Sequence, residues 1–194
     1  MQKLRPIPQD VNVVPLPPER LQELPCFSYV GIDLAGPLYV SDKVQLYEKD
    51  HFKRYYLIIS CFSSRMTHIE LILSRETDEV LSALRRFMAR RGIPIYIYCD
   101  NEGAFEKSER ELKHLWKGIN FQKLQAAFNT EAIRFHFNIP VFPARGGIYE
   151  RINKIIKNIL KQKIGRKSLS TWEMQTILAQ AEMITNSRPL GTTT

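Results

Sequence analysis

Hydrophobic and polar positions change rhythm along this chain, and the changes outline its elements. FSYVGIDLAGPLYV (27–40) alternates with period two, with Tyr29, Gly31, Asp33 and Ala35 on one face and Val30, Ile32 and Leu34 on the other. Residues 41–54 are polar and charged and read as a turn or hairpin tip. RYYLIISCF (54–62) is a continuous apolar run of buried-strand length, Ser63–Arg65 a tight turn, and MTHIELIL (66–73) another alternating strand. Three strands with short connections predict an antiparallel meander.

The period then becomes helical. Val80, Leu84, Phe87 and Met88 form one stripe, with Thr77 as a cap, Asp78 and Glu79 at the positive end and Gly92 as the stop. Arg85, Arg86, Arg90 and Arg91 fall outside that stripe. PIYIYCD (94–100) predicts a fourth strand, and Phe105, Ser108, Leu112, Leu115 and Trp116 stripe a helix. Residues 119–132 read as a short helix and turns, and IRFHFNI (133–139) as a fifth strand. PARGGIYERINKIIKNILKQKIG (143–165) reads as a double-glycine loop feeding a long helix, with Ile152, Ile155, Ile156, Ile159 and Leu160 on its apolar side. Ser170 and Glu173 make a capping box for a last helix that turns Met174, Ile177, Leu178, Ala181 and Ile184 inward. The order β-β-β-α-β-α-β-α-α predicts an α/β fold, a mixed sheet with helices on its faces.

Composition changes this picture at two places. Six prolines between Pro6 and Pro25 make residues 1–25 an extended linker, leaving 26–190 as the folded core and 191–194 as a tail. The net charge of +8 is partly local, because Arg151 to Lys167 holds seven basic residues and no acidic one. Such a patch points to a polyanionic partner, nucleic acid before membrane, or to a basic surface kept for solubility. Cys26, Cys61 and Cys99 lack metal-ligand spacing, which disfavours structural zinc. Cys61 and Cys99 lie in apolar runs, as reduced core residues do. With neither a long apolar run nor a secretory signal, the chain reads as intracellular, nuclear or cytoplasmic.

Three carboxylates carry the candidate chemistry. Asp33 sits inside a strand, Asp100 ends another, and Glu150 lies on the basic helix in line with Lys154, Lys157 and Lys161. Each has a plain reading: a satisfied structural carboxylate, a strand-to-loop turn, and an i,i+4 pair with Lys154. If strands one and four are neighbours, about 4.8 Å apart, the two aspartates can share an ion and the glutamate can close the site. Such a set suits Mg²⁺ or Mn²⁺, and a pair of ions about 3.5–4 Å apart suits phosphoryl transfer. The basic row would then lie along a phosphate backbone, and free N–H groups at Gly146-Gly147 would also suit phosphate.

In this order the motifs resemble the catalytic core of retroviral-type integrases, which are DDE polynucleotidyl transferases, and most closely those of BEL/Pao-type LTR retrotransposons. The resemblance is carried by PLPPERL (15–21), GIDLAGPLYV (31–40), residues 61–94, CDNEGAFEKSERELKHLW (99–116), PARGGIYERINKIIKNILK (143–161) and NSRPL (186–190). It implies a ribonuclease H-like fold with five strands in the order 3-2-1-4-5. It implies Asp33, Asp100 and Glu150 as catalytic, metal-binding residues holding Mg²⁺ or Mn²⁺, two ions in all. It implies donor-end DNA contacts at Lys154 and Lys157, which Lys161 and Arg151 extend along the same basic helix, and a homo-oligomer acting on retroelement ends and target DNA. The implied activity is 3′-end processing and strand transfer. The alternatives are a nucleic-acid-binding remnant or a ribonuclease H-type nuclease.

Two departures bear on activity. Glu102 stands where the family has glycine beside the metal site, and Ala144 where it has an aromatic before R-G-G. The zinc-binding and C-terminal DNA-binding domains of full-length integrases are not in the sequence, so it reads as a core-only fragment or a repurposed copy.

Overall fold

The computed structural model describes residues 24–45, 48–99, 118–129, 133–137, 143–165 and 169–188. For 43–45, 48–51, 136–137, 143–151 and 153 the description is of backbone only. Five strands, β1 (Tyr29–Gln45), β2 (Glu48–Cys61), β3 (Thr67–Ile72), β4 (Tyr96–Cys99) and β5 (Arg134–Phe137), form one sheet in the order β3-β2-β1-β4-β5. The helices are α1 (Thr77–Arg91), α2 (Phe121–Phe128), α3 (Pro143–Ile164) and α4 (Thr171–Asn186). β1–β2–β3 is the antiparallel meander, while β1–β4 and β4–β5 are parallel.

The alternation in β1 sends its residues into two separate cores. Val30, Ile32 and Leu34 join Leu57, Ile59, Leu84, Phe87, Leu124 and Phe128 on the face covered by α1 and α2. Ala35 and Val40 join Tyr56, Ile58, Ile69, Ile156, Leu160, Met174 and Leu178 on the face covered by α3 and α4. A strand with helices on both faces has few solvated positions, so the core portions of β1 (29–40) and β2 (55–61) are largely apolar.

Beyond Ala35 the ladder shifts register before resuming at Leu38–Arg54. Gly36 sits at this irregularity with φ of +133°. A Cβ there would lie 2.9 Å from Tyr55 Cδ1 and 3.1 Å from the Arg54 carbonyl oxygen, so both sterics and backbone conformation demand glycine. After the bulge the strands continue to Gln45 and from Glu48, much further than the polar composition of 41–54 predicted. Ladder hydrogen bonds need only backbone groups, and a ribbon reaching past the core leaves its side chains free to be polar.

α4 closes the open edge of β3 with side chains in place of a sixth strand. The Ile69 N–H donates to Glu182 Oε2 at 2.9 Å and the Thr67 N–H to Asn186 Oδ1 at 2.8 Å. Asn186 Nδ2 donates in turn to the Thr67 carbonyl at 2.8 Å, and Arg86 of α1 donates to the Leu71 carbonyl at 3.1 Å. These bonds satisfy backbone groups that would otherwise template another strand. The other end of α4 carries the expected capping box between Ser170 and Glu173, and Asp42 of β1 accepts from both the Thr171 N–H and the Thr171 hydroxyl.

Behind β3 lies a buried ion cluster. His68 Nε2 is 2.9 Å from Glu70 Oε1, and its Nδ1 is 3.3 Å from Glu182 Oε2. Glu70 also receives Arg86 at 2.7 Å and Arg90 at 2.8 Å, and Glu182 receives Arg91 at 2.5 Å. Three of the four α1 arginines outside the apolar stripe are therefore paired with buried or half-buried carboxylates. Only an imidazolium can donate from both ring nitrogens at once. Burial opposes that charge, but hydrogen bonds to Glu182 and Glu70 outweigh it and hold His68 above its ordinary value. Burial likewise opposes ionisation of Glu70 and Glu182, and is outweighed by His68 with Arg86 for the one and by His68 with the Ile69 N–H for the other.

Other local expectations shift. Glu76, not Thr77, occupies the α1 N-cap, without a side-chain cap bond. The Thr77 hydroxyl instead accepts the Asn120 N–H at 2.9 Å, tying α1 to the start of α2. Ile184 is 38% exposed, and Thr185 takes the inward position with its hydroxyl donating to the Ala181 carbonyl. The double glycine at 146–147 lies inside α3, which starts at Pro143. Proline suits a first helical position, and the docked stripe from Ile152 to Leu160 offsets a glycine cost of about 1 kcal/mol each. The proposed free N–H groups of Gly146-Gly147 thus become helix-interior groups. The helix expected over 105–116 lies outside the described residues.

Two outcomes follow. Replacing Gly36 with Ala should cost about 1–3 kcal/mol of stability, read as a lower denaturation midpoint with unchanged slope. His68 has a raised folded pKa, so its contribution is complete below its unfolded value of about 6.5 and is lost as pH rises through the folded value. Glu70 and Glu182 have lowered folded pKa values, so theirs is present above about 4.3 and lost as pH falls through the folded values. The melting temperature should peak between about pH 4.5 and 6.5 and decline towards pH 8. His68→Gln should flatten that alkaline decline.

Candidate active site

β1 sets the position of Asp33. Its neighbours in the ladder are Ile58 on β2 and, one residue earlier, Cys99 opposite Ile32 on β4. Alternation places Asp33 with Ala35 on the face of the sheet covered by α3 and α4. The carboxylate is half-buried there. Nearby on β2, Tyr56 is buried; burial first, and then the charge of Asp33, push its phenol well above its usual range. Asp33 is thus close enough to a buried side chain to alter its chemistry.

Asp33, Asp100 and Glu150 do not stand equally in the structure. Asp100 follows Cys99, the last residue of β4, and lies outside the described residues, as does Glu102. Glu150, Arg151 and Ala144 lie on α3, of which the backbone alone is described at those positions. The helix is held to the Asp33 face by Ile152, Ile156 and Leu160, all buried, with Ile155 and Ile159 half-buried, as the apolar stripe predicted. Lys154, Lys157 and Lys161 are exposed, so the basic row faces solvent. Carboxylate oxygens are the donors a hard divalent cation takes. Among the described residues no group of three or more His, Cys, Asp or Glu is arranged to hold a metal ion, and no helix is long and apolar enough to cross a membrane.

An aromatic row spans β1, β4 and the end of β2 on the same face. Tyr29 stacks on Tyr96 at 5.0 Å, Tyr96 lies 6.2 Å from Tyr98, and Tyr98 lies 5.2 Å from Phe62. Arg134 of β5 donates to the Tyr96 hydroxyl at 2.7 Å with its guanidinium over the ring. Tyr98 is the ladder partner of Gly31, whose missing side chain leaves room for that ring.

The sequence reading passed over Tyr56 and the His68–Glu70–Glu182 cluster. A signal for the cluster existed: His68 and Glu70 alternate onto one face of β3, and Arg86 and Arg90 are spaced i,i+4 on the next helix. Glu182 could not be found that way, since it reaches β3 from the far end of the chain.

Comparison of the sequence with protein-family models and with curated proteins finds no match. Solved structures do resemble the fold. A chain of the simian T-cell lymphotropic virus intasome in complex with the PP2A regulatory subunit B56 gamma is 21% identical, with a TM-score of 0.59 over 89% of this chain. This chain spans about half, 52%, of that one. The catalytic core domain of BIV integrase is 13% identical with a TM-score of 0.57, over 86% of this chain and 88% of its own. The HTLV-2 integrase catalytic core domain in complex with magnesium, in a trimeric form, is 16% identical with a TM-score of 0.55, over 89% of this chain and 93% of its own. The strand order 3-2-1-4-5, the antiparallel meander and the helices on both faces make this the ribonuclease H-like fold of retroviral integrase catalytic cores.

Proposed function

We propose that this chain is an integrase-type polynucleotidyl transferase core that processes 3′ ends of retroelement DNA and joins them to target DNA. One observation carries the reading. The parallel β1–β4 ladder ends at Ile32–Cys99, immediately before Asp33 on one strand and Asp100 on the other, and α3, the helix bearing Glu150, packs over the face that Asp33 occupies.

In this reading Asp33, Asp100 and Glu150 hold two Mg²⁺ or Mn²⁺ ions, which when bound lower the barrier to in-line displacement at phosphorus. The chain's own contribution is placement. β1 positions Asp33, and the buried stripe of α3 holds that helix over the same face of the sheet; the reading adds Asp100 and Glu150 to this carboxylate. Lys154, Lys157 and Lys161, with Arg151 beside them, neutralise backbone phosphates and hold the DNA along the helix. The solvent exposure of the three lysines supports this role. A homo-oligomer would present two such sites to paired DNA ends.

The test is cleavage and joining of a labelled branched or nicked duplex in Mn²⁺. Metal-dependent strand cleavage that falls more than about 100-fold in Asp33→Asn supports the reading, since even residues behind metal ligands cost 10–100-fold. Cleavage indifferent to that substitution, or none with metal, would leave a DNA-binding remnant, as Glu102 and Ala144 suggest. Cleavage of RNA in a hybrid without joining would indicate the ribonuclease H chemistry. The triple change Lys154→Ala, Lys157→Ala, Lys161→Ala should reduce the slope of log affinity against log salt by about 2–3, at roughly 0.9 per lost phosphate contact.

A further inference from the structure

The turns before β1 and after β2 hold a sulfur cluster with no part in the DNA chemistry above. Cys26 is exposed and Cys61 buried, and both are free thiols. Cys26 Sγ lies 2.9 Å from Ser64 Oγ and 3.7 Å from Met66 Sδ. Cys61 Sγ accepts the Phe27 N–H at 3.1 Å and lies 3.2 Å from Ser63 Oγ. Phe27 N is two covalent bonds from Cys26 Cα, about 2.4 Å by standard lengths, so the Cys61 sulfur is within about 5.5 Å of Cys26 Cα. That bound places the Cys61 sulfur close to the Cys26 side chain.

The two sulfurs differ in access and in thiolate character. Cys26 is the thiol that a dissolved oxidant reaches. Cys61 has no exposure, so a bulky reagent cannot approach it, but it sits among donors that favour its thiolate. Burial opposes that form, yet the Ser63 and Ser64 hydroxyls and the Phe27 N–H outweigh it and hold Cys61 below its ordinary value. Burial pushes Cys26 up. Cys99, also buried, belongs to β4 and is absent from this cluster.

We propose that Cys26 and Cys61 are a reversible redox pair that closes to a disulfide with hydrogen peroxide as oxidant. The Cys26 thiolate attacks one peroxide oxygen, the O–O bond breaks, and Cys26 becomes a sulfenic acid as hydroxide leaves. The Cys61 thiolate then attacks the Cys26 sulfur, forming the S–S bond and expelling a second hydroxide. With the two thiol protons, the hydroxides become two waters. The bond would staple the segment leading into β1 to the turn between β2 and β3. The inference rests on these side chains alone and is independent of the proposed DNA chemistry.

The folded protein, treated with a few equivalents of peroxide and then blocked, digested and mapped without reductant, tests this. The expected result is a peptide pair linked through Cys26 and Cys61, free thiols falling from three to one per chain, and full recovery with dithiothreitol. Cys26→Ser, at an exposed position, should remove the linked pair and leave Cys61 reduced. Cys99→Ala should leave the link intact. The proposal is overturned if Cys26 goes to sulfinic or sulfonic acid with Cys61 still reduced. It is equally overturned if Cys26 links to a second chain, or if the pair forms only in protein unfolded by urea.

Discussion

The parallel pairing of β1 with β4 is the constraint on which the rest of the structure depends. A parallel pair cannot be made by a hairpin and needs a crossover, which here contains β2, β3 and α1. Once made, it leaves β1 flanked on both edges and covered on both faces. Its alternation then divides the apolar residues between two cores and places Asp33 on the α3–α4 side. The bulge at Gly36 keeps the consequences local, because register is reset just after the carboxylate while the earlier ladder stays regular.

The position of α3 is secured indirectly. The stripe from Ile152 to Leu160 provides affinity for the sheet but little directional constraint, since apolar contact is non-directional. Orientation comes from α4, bonded at one end to Asp42 of β1 and at the other to the edge backbone of β3. The His68–Glu70–Glu182 cluster, with three arginines of α1, joins β3 to helices on both faces of the sheet. Breaking one partner of such a buried group leaves the others uncompensated, so the cluster acts as one unit. The seating of α3 by way of α4 therefore depends on charges far in sequence from Asp33.

Much of this fold was legible in the residues. Period-two segments became β1 and β3, the continuous apolar run 54–62 became the end of β2, the stripes of Val80–Met88 and Ile152–Leu160 became buried helix faces, and Ser170 with Glu173 became a capping box. What was misread followed from tertiary context. The double glycine at 146–147 was absorbed into α3, Thr77 became a partner of Asn120, and polar residues after Tyr39 continued a ladder that needs no apolar side chains. Cys61 was correctly placed in the core, but its nearness to Cys26 was invisible because 35 positions separate them and only the β1–β2 pairing closes that distance.

The sequence by itself determined the alternation, the stripes, the caps and the order of elements, because these depend on neighbours within about one or two helical turns. It also determined which carboxylates and lysines are available, and that the lysines share one helix face. Only the tertiary structure decided that Asp33 ends up beside Tyr56 on the face α3 covers, and that three arginines are paired with buried or half-buried carboxylates. It also decided that Glu182 closes the edge of β3 and that Cys26 meets Cys61. Each of these is a contact between segments far apart in the chain. Its formation is governed by strand pairing and by which face of the sheet each helix covers, and no local pattern encodes either.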